Sequence, residues 1–216
     1  MATSRSATSR TATLIAAALG IAIAAGVGWG LHKASKKRSE QRAVVAIVGD
    51  TTAQLRDALK TASREEVEKI EGNMRVAQAW SNPELSDATE HYLLGAREIL
   101  RRRVEADRYE KKAAASRAAL LAHMNRAARR DTPWIRTALV LKKQVERDHL
   151  ELDVELRALA DLLDMLPQAN KRLEPHVQPA LLLDEGLRKQ MYRQVVDEAK
   201  RATAELERTR RLLVPR

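Results

Sequence analysis

Hydrophobic residues recur at three- and four-residue steps along most of the chain after residue 43. This spacing places them on one face of an α-helix, which has about 3.6 residues per turn. The runs occupy about 44–80, 83–130, 132–166 and 181–212, and none shows the alternation of polar and apolar residues typical of a β-strand. The pattern predicts one all-α domain, residues 44–212, in which about four long helices form an elongated antiparallel bundle or coiled coil.

Polar residues mark where these helices begin. Ser63 with Glu66 three residues later fits a capping box, so a break is expected within the first run. The Ser-Asn-Pro sequence at 81–83 predicts a turn. The Asp-Thr-Pro sequence at 131–133 predicts a new helix, because Asp caps a helix and Pro fits its first turn.

The third run meets a proline, Pro167, and two more follow it, Pro175 and Pro179. A proline inside a helix removes a backbone hydrogen bond and clashes with the preceding turn. The sequence therefore predicts that this helix ends near Leu166 and that the long loop of the bundle follows it. The last helix is expected to begin within 181–184.

The N-terminal region differs from the rest because residues 11–31, a run of 21, carry no charge. As a helix this run spans roughly 30 Å, the thickness of a bilayer core. Trp29 near its end fits the membrane interface. We predict a single transmembrane helix after a tail of residues 1–10. The alternative is a cleavable signal peptide, with Arg5 and Arg10 in its basic region and 22–24 as its cleavage site.

This segment is rich in small residues, since eleven of its residues are Ala or Gly and only seven are Leu, Ile or Val. They form two rows at four-residue spacing, which lets two helix backbones approach closely. One row is Ala16, Gly20, Ala24 and Gly28, and the other is Ala18, Ala22, Gly26 and Gly30. Chance Ala/Gly richness also produces such rows. We predict that Ala16, Gly20, Ala24, Gly26, Gly28 and Gly30 pack against a transmembrane helix of another membrane subunit or a second copy.

The formal net charge is +10, and a basic group follows the apolar segment within the stretch 32–43. Its members are Lys33, Lys36, Lys37, Arg38 and Arg42. Each is expected to contribute about 1 kcal/mol of binding to anionic lipid headgroups. Their excess over Arg5 and Arg10 predicts a single-pass protein of the bacterial inner membrane with its bulk in the cytoplasm. A periplasmic bulk is the alternative.

Candidate catalytic or metal-binding groups are few. Glu146 and His149 form one Glu-x-x-His, but a di-iron bundle needs two such pairs, and His91 does not supply the second. A solvated charged face is the interpretation adopted for this pair. His123 is expected to pack near a helix end, and His176 lies in the long loop. The sequence predicts neither an enzyme nor a bound cofactor.

The amino-acid composition argues against several further kinds of binding site. There is no Cys, which excludes disulfides and thiolate metal sites. There is no Phe, and the few Tyr and Trp residues do not interleave with basic groups, so no nucleic-acid platform is predicted. The final residues 213–216, Leu-Val-Pro-Arg, match half of a thrombin site and are expected to be a tag scar.

These features favour a membrane-anchored structural or accessory subunit that docks onto itself or onto a larger membrane complex. The alternatives are a sensor or ligand-binding helical bundle of the cell envelope and an envelope-spanning coiled-coil tether.

Overall fold

The computed structural model describes residues 35–58, 62–126 and 131–211. The chain divides into two compact units, Met1–Ala43 and Val44–Arg216. In the first unit the described residues, 35–43, are helical. The predicted transmembrane segment with its small residues, Lys33 and the predicted tag scar all lie outside the described residues. Among the helices that are described, none combines the length and the apolar character needed to cross a bilayer.

The second unit is a bundle of α-helices. Its first helix, α1, comprises residues 44–57. The others are α2 (Arg64–Gln78), α3 (Pro83–Met124), α4 (Thr132–Leu173) and α5 (Glu185–Arg211), with a short 3₁₀ turn at Pro179–Leu181. No strand occurs in residues 35–58, 62–126 or 131–211. The prediction of an all-α bundle is therefore confirmed.

The helix starts follow local chemistry. Ser63 and Glu66 form a complete capping box, in which each side chain accepts a hydrogen bond from the backbone N–H of the other. The side chains of Asn82 and Asp131 cap α3 and α4. The prediction for the end of α3 was less accurate, because this helix ends at Met124, before the expected end near residue 130.

The prediction that the third helix ends near Leu166 is wrong, because α4 continues through Pro167 to Leu173. Pro167 has no N–H to donate to the carbonyl of Leu163, one turn earlier. The Arg188 guanidinium of α5 donates to that carbonyl instead, with 3.2 Å between Nη1 and O. A neighbouring helix thus satisfies the acceptor that the proline leaves open.

Helices α3 and α4 run antiparallel, because contacts join the start of one to the end of the other. Asp87 near the start of α3 pairs with Arg172 near the end of α4, at 3.5 Å. At the opposite end, the His123 ring stacks on the Trp134 ring with 5.0 Å between centroids.

Helices α4 and α5 are also antiparallel. Arg188 at the start of α5 lies 3.3 Å from Asp164 in the second half of α4. Arg210 at the end of α5 lies 3.3 Å from Glu146 in the first half of α4. The long helices α3, α4 and α5 therefore form an up-down-up arrangement.

The main hydrophobic core lies where α1 and α2 pack against the first half of α3, which in turn packs against the second half of α4. Met191, Val195 and Ala202 of α5 also belong to this core. Leu93, Ile99 and Leu163 are fully buried there. Tyr92 is buried as well, and its hydroxyl lies 2.6 Å from the Thr52 hydroxyl of α1. Burial raises the pKa of Tyr92 to about 12, and the hydrogen bond from Thr52 offsets part of this effect.

Candidate functional site: a polar groove and an exposed apolar face

A groove of about 450 Å³ lies between the second half of α3, the first half of α4 and the second half of α5. Five of the sixteen residues that line it are alanines, and alanine leaves unfilled space between helix backbones. The alanines are Ala106, Ala113, Ala114, Ala118 and Ala202. Charged side chains also line the groove, so water and polar ligands can enter it.

At one end of the groove, Arg103 of α3 joins two carboxylates. Its side chain is 10% exposed, and its Nη1 lies 2.6 Å from an oxygen of Glu198 on α5. Its Nε lies 2.9 Å from Asp107, one turn further along α3, although the geometry is too bent for a hydrogen bond. Burial raises the pKa of the Asp107 carboxyl, and the nearby Arg103 offsets this in part. The trio connects α3 to α5, and its three side chains are between 10% and 27% exposed.

The floor of the groove contains His149, whose side chain is 2% exposed. Its Nδ1 donates to the Val145 carbonyl at 2.9 Å, because a carbonyl can only accept. Its Nε2 lies 3.9 Å from a carboxylate oxygen of Glu205, which also pairs with Arg117 at 3.0 Å. The prediction of a solvated face is wrong for His149, because the side chain points into the bundle.

Other histidines have simpler surroundings. The half-buried His123 stacks on Trp134, and its Nε2 lies 3.0 Å from the Trp134 carbonyl, as expected of a packing residue. His91 is exposed, with Nδ1 2.9 Å from the carbonyl of Asp87. Within the described ranges, no three His, Asp or Glu side chains come together as metal ligands would.

Helix α4 also carries an exposed apolar face. Of the ten bulky apolar side chains that are largely exposed in the described residues, six lie on α4. At about 100° per residue they fall within an arc of about 140° on one side of the helix. They are Ile135, Leu139, Val140, Leu150, Val154 and Met165, each between 49% and 62% exposed. Sequence periodicity did not reveal this face, because its apolar residues interrupt a mainly charged surface.

The predicted lipid-binding residues that fall within the description lie on helical residues 35–43. Lys36, Lys37, Arg38 and Arg42 are all exposed. Their spacing distributes them around the helix rather than along one side.

Comparison with protein-family models, with curated proteins and with solved structures finds no match to this chain.

Proposed function

We propose that this chain is a membrane-anchored helical docking subunit, with a structural rather than a catalytic role, and that the exposed face of α4 binds another protein. The exposed apolar face carries this proposal. Leu150 and Val154 are more than half exposed at the middle of a helix whose other side is well packed. Exposed bulky apolar side chains that share one side of a helix in this way are a feature of protein interaction sites.

The anchor rests on the uncharged segment 11–31 and the basic residues after it. Because Lys36, Lys37, Arg38 and Arg42 are exposed on the helix that follows this segment, they can contact anionic headgroups. In membrane fractions, the full chain should resist extraction by alkaline carbonate. A variant with Ile21→Arg and Ile23→Arg should be released, since arginine is costly at the centre of a bilayer. Release of the unmodified chain under the same conditions would contradict the anchor.

Docking is tested by purification in mild detergent and identification of co-purifying proteins, including a differently tagged second copy. Val154→Glu should remove the specific partner, because it places a charge in the apolar face. Val76→Glu is the matched control, since Val76 is an exposed valine on α2, 49% accessible. Equal recovery of the partner with both variants would place docking elsewhere.

We also propose that the small residues of segment 11–31 contact another transmembrane helix. Gly26→Ile with Gly30→Ile should improve membrane insertion and yet weaken association, because larger side chains block backbone approach. Unchanged oligomer size and unchanged co-purification in this double variant would leave the segment as an anchor or a signal peptide.

The positive charge after the segment favours a cytoplasmic location for the bulk of the chain. A C-terminal alkaline phosphatase fusion, which is active only after export, should therefore be inactive in bacteria. An active fusion would place the bulk on the other side of the membrane.

A second candidate function is ligand binding, as in the sensor alternative, and the polar groove favours it. Its charges and the buried His149 suit a small charged molecule with an apolar part. Amino acids, polyamines and dicarboxylates are suitable probes in a thermal-shift series. A true ligand should stabilise the full chain and lose its effect in Ala202→Leu, which fills the groove. Stabilisation that persists in this variant would argue against the groove as the site.

A further inference from the structure

Over residues 136–164, the exposed face of α4 carries mainly basic side chains before Leu150 and mainly acidic ones after it. Before Leu150, the exposed charged side chains of this stretch are basic: Arg136, Lys143 and Arg147. After it, three are acidic: Glu151, Asp161 and Asp164. Arg157 is the basic residue between them, and Asp153 pairs with it at 2.8 Å. Asp164 pairs with Arg188 of α5 at 3.3 Å. Beyond this stretch, the last turn of α4 exposes two more basic residues, Lys171 and Arg172. The apolar residues Leu150 and Val154 lie at the boundary, near the middle of Thr132–Leu173.

We infer that the partner of this face is a second copy of the same chain, with its α4 antiparallel to the first. A stretch that is basic on one side of its centre and acidic on the other side is complementary to a second copy only when that copy runs in the opposite direction. Parallel pairing would place basic against basic and acidic against acidic, which is unfavourable. A twofold pairing is also the commonest form of self-association, with the same patch on both subunits.

The positions of the apolar and charged residues along α4 indicate how the two copies of this helix align. A twofold axis at about the level of residue 152 places Leu150 of each copy against Val154 of the other, so that apolar residues meet at the centre. The same axis places Lys143 against Asp161 in two symmetrical pairs. It also brings Arg147 near Arg157, whose charge Asp153 already neutralises.

Disulfide cross-linking tests this alignment directly, because the chain has no cysteine of its own. Two full-length variants, Lys143→Cys and Asp161→Cys, are purified in mild detergent, mixed and oxidised. The mixture should give a mixed disulfide dimer. Lys143→Cys alone should not, because its two thiols would lie about 27 Å apart along the helices. A dimer from Lys143→Cys alone would indicate parallel pairing, and no dimer from the mixture would exclude this interface.

Charge exchange provides a second test, read from the mass of the particle in detergent by sedimentation. Lys143→Glu should weaken self-association about tenfold, since it changes two symmetry-related exposed pairs from attractive to repulsive. Adding Asp161→Lys should restore it. Lys112→Glu is the control, because Lys112 is an exposed lysine on α3 and should have no effect. Equal weakening by both single variants, or no rescue in the double variant, would overturn the inference.

This inference rests on the proposed docking function, and the two can fail separately. If Val154→Glu releases a different protein while the cysteine mixture gives no dimer, the proposed docking function is supported and the inference of a second copy is wrong. If the mixture cross-links but carbonate releases the chain from membranes, the pairing stands and the membrane anchor is wrong.

Discussion

Helices α3 and α4 extend through two regions of the bundle, an apolar region and a polar region, which differ in the side chains that fill the space between the helices. In the apolar region, α1 and α2 surround the first half of α3, and Leu, Ile and Tyr side chains fill the space. In the polar region, charge pairs join α5 to the second half of α3, and alanines leave a groove crossed by Arg103 and Glu198. Buried Leu120 and Val145 lie in the polar region but outside the main core cluster. The same helices are therefore held by packing in one region and partly by charge pairs in the other.

The largest expected effect tests packing in the apolar region. Leu163 is fully buried in the main core, and Leu163→Ala should reduce the free energy of unfolding by about 3–4 kcal/mol. Leu120→Ala, the equivalent change in the polar region, should cost about 2 kcal/mol, because an open groove nearby allows relaxation. Denaturant unfolding followed by circular dichroism measures both. Equal losses, or a larger loss from Leu120→Ala, would remove the distinction between the regions.

The next effect concerns the charge pairs of the polar region. Arg103→Met should cost about 2 kcal/mol, because Glu198 and Asp107 then remain poorly solvated without a cation. Arg102→Met is the control one residue earlier on α3. Arg102 pairs with Glu155 at 3.0 Å but is 28% exposed, so its loss should cost less than about 1 kcal/mol. If the two variants lose the same free energy, the Arg103 trio has no special role.

A smaller effect concerns the one buried hydroxyl pair described in the apolar region. Thr52→Val should cost about 1–2 kcal/mol, because the Tyr92 hydroxyl is left buried without its partner. It should also raise the pKa of Tyr92 further, because the hydrogen bond from Thr52 favours the ionised form. Ultraviolet titration, with Tyr92→Phe to identify the step, measures this. A lower pKa in Thr52→Val would contradict the assignment.

The raised pKa of Tyr92 also makes the stability of the fold depend on pH. The folded state raises the pKa of Tyr92 above its usual value of 10.0, so the neutral form is favoured in the fold. This contribution is fully present below pH 10 and is lost as the pH rises towards 12. Between those values the chain should lose more stability than Tyr92→Phe does.

The smallest effect concerns Asp107. Because burial raises its pKa in the fold, its contribution to stability is present at low pH and is lost as pH rises through the folded value. Asp107→Asn should therefore raise the free energy of unfolding at neutral pH by less than about 1 kcal/mol. The denaturant concentration at the midpoint of unfolding should rise slightly. A clear destabilisation at neutral pH would show that the pairing with Arg103 outweighs burial.

The apolar region could be predicted from sequence better than the polar region. The helical spacing of Val44, Val48 and Leu55 identified core positions, and all three are fully buried. The capping box at Ser63 was likewise visible, because both of its hydrogen bonds lie within three residues. Such features depend on short-range geometry that the sequence displays directly.

The polar groove depends on contacts between distant residues. Arg103 and Glu198 are 95 positions apart, and nothing local shows that one meets the other. His149 follows Glu146 in a charged stretch, so the sequence indicated a solvated side chain, whereas α5 covers it in the bundle. The exposed face of α4 was missed for a related reason, because apolar residues on a helix ordinarily mark its buried side.

The proline in α4 has a consequence for the alignment of its neighbour. Apolar side chains recur each turn on both α4 and α5, so sliding one helix by a turn, about 5.4 Å, would preserve much of their contact. The Leu163 carbonyl is a fixed acceptor, and Arg188 reaches it in only one alignment. In a displaced alignment the carbonyl would stay buried without a donor, at a cost of about 1–3 kcal/mol. A residue that weakens its own helix thereby favours one position of the next helix over the shifted alternatives.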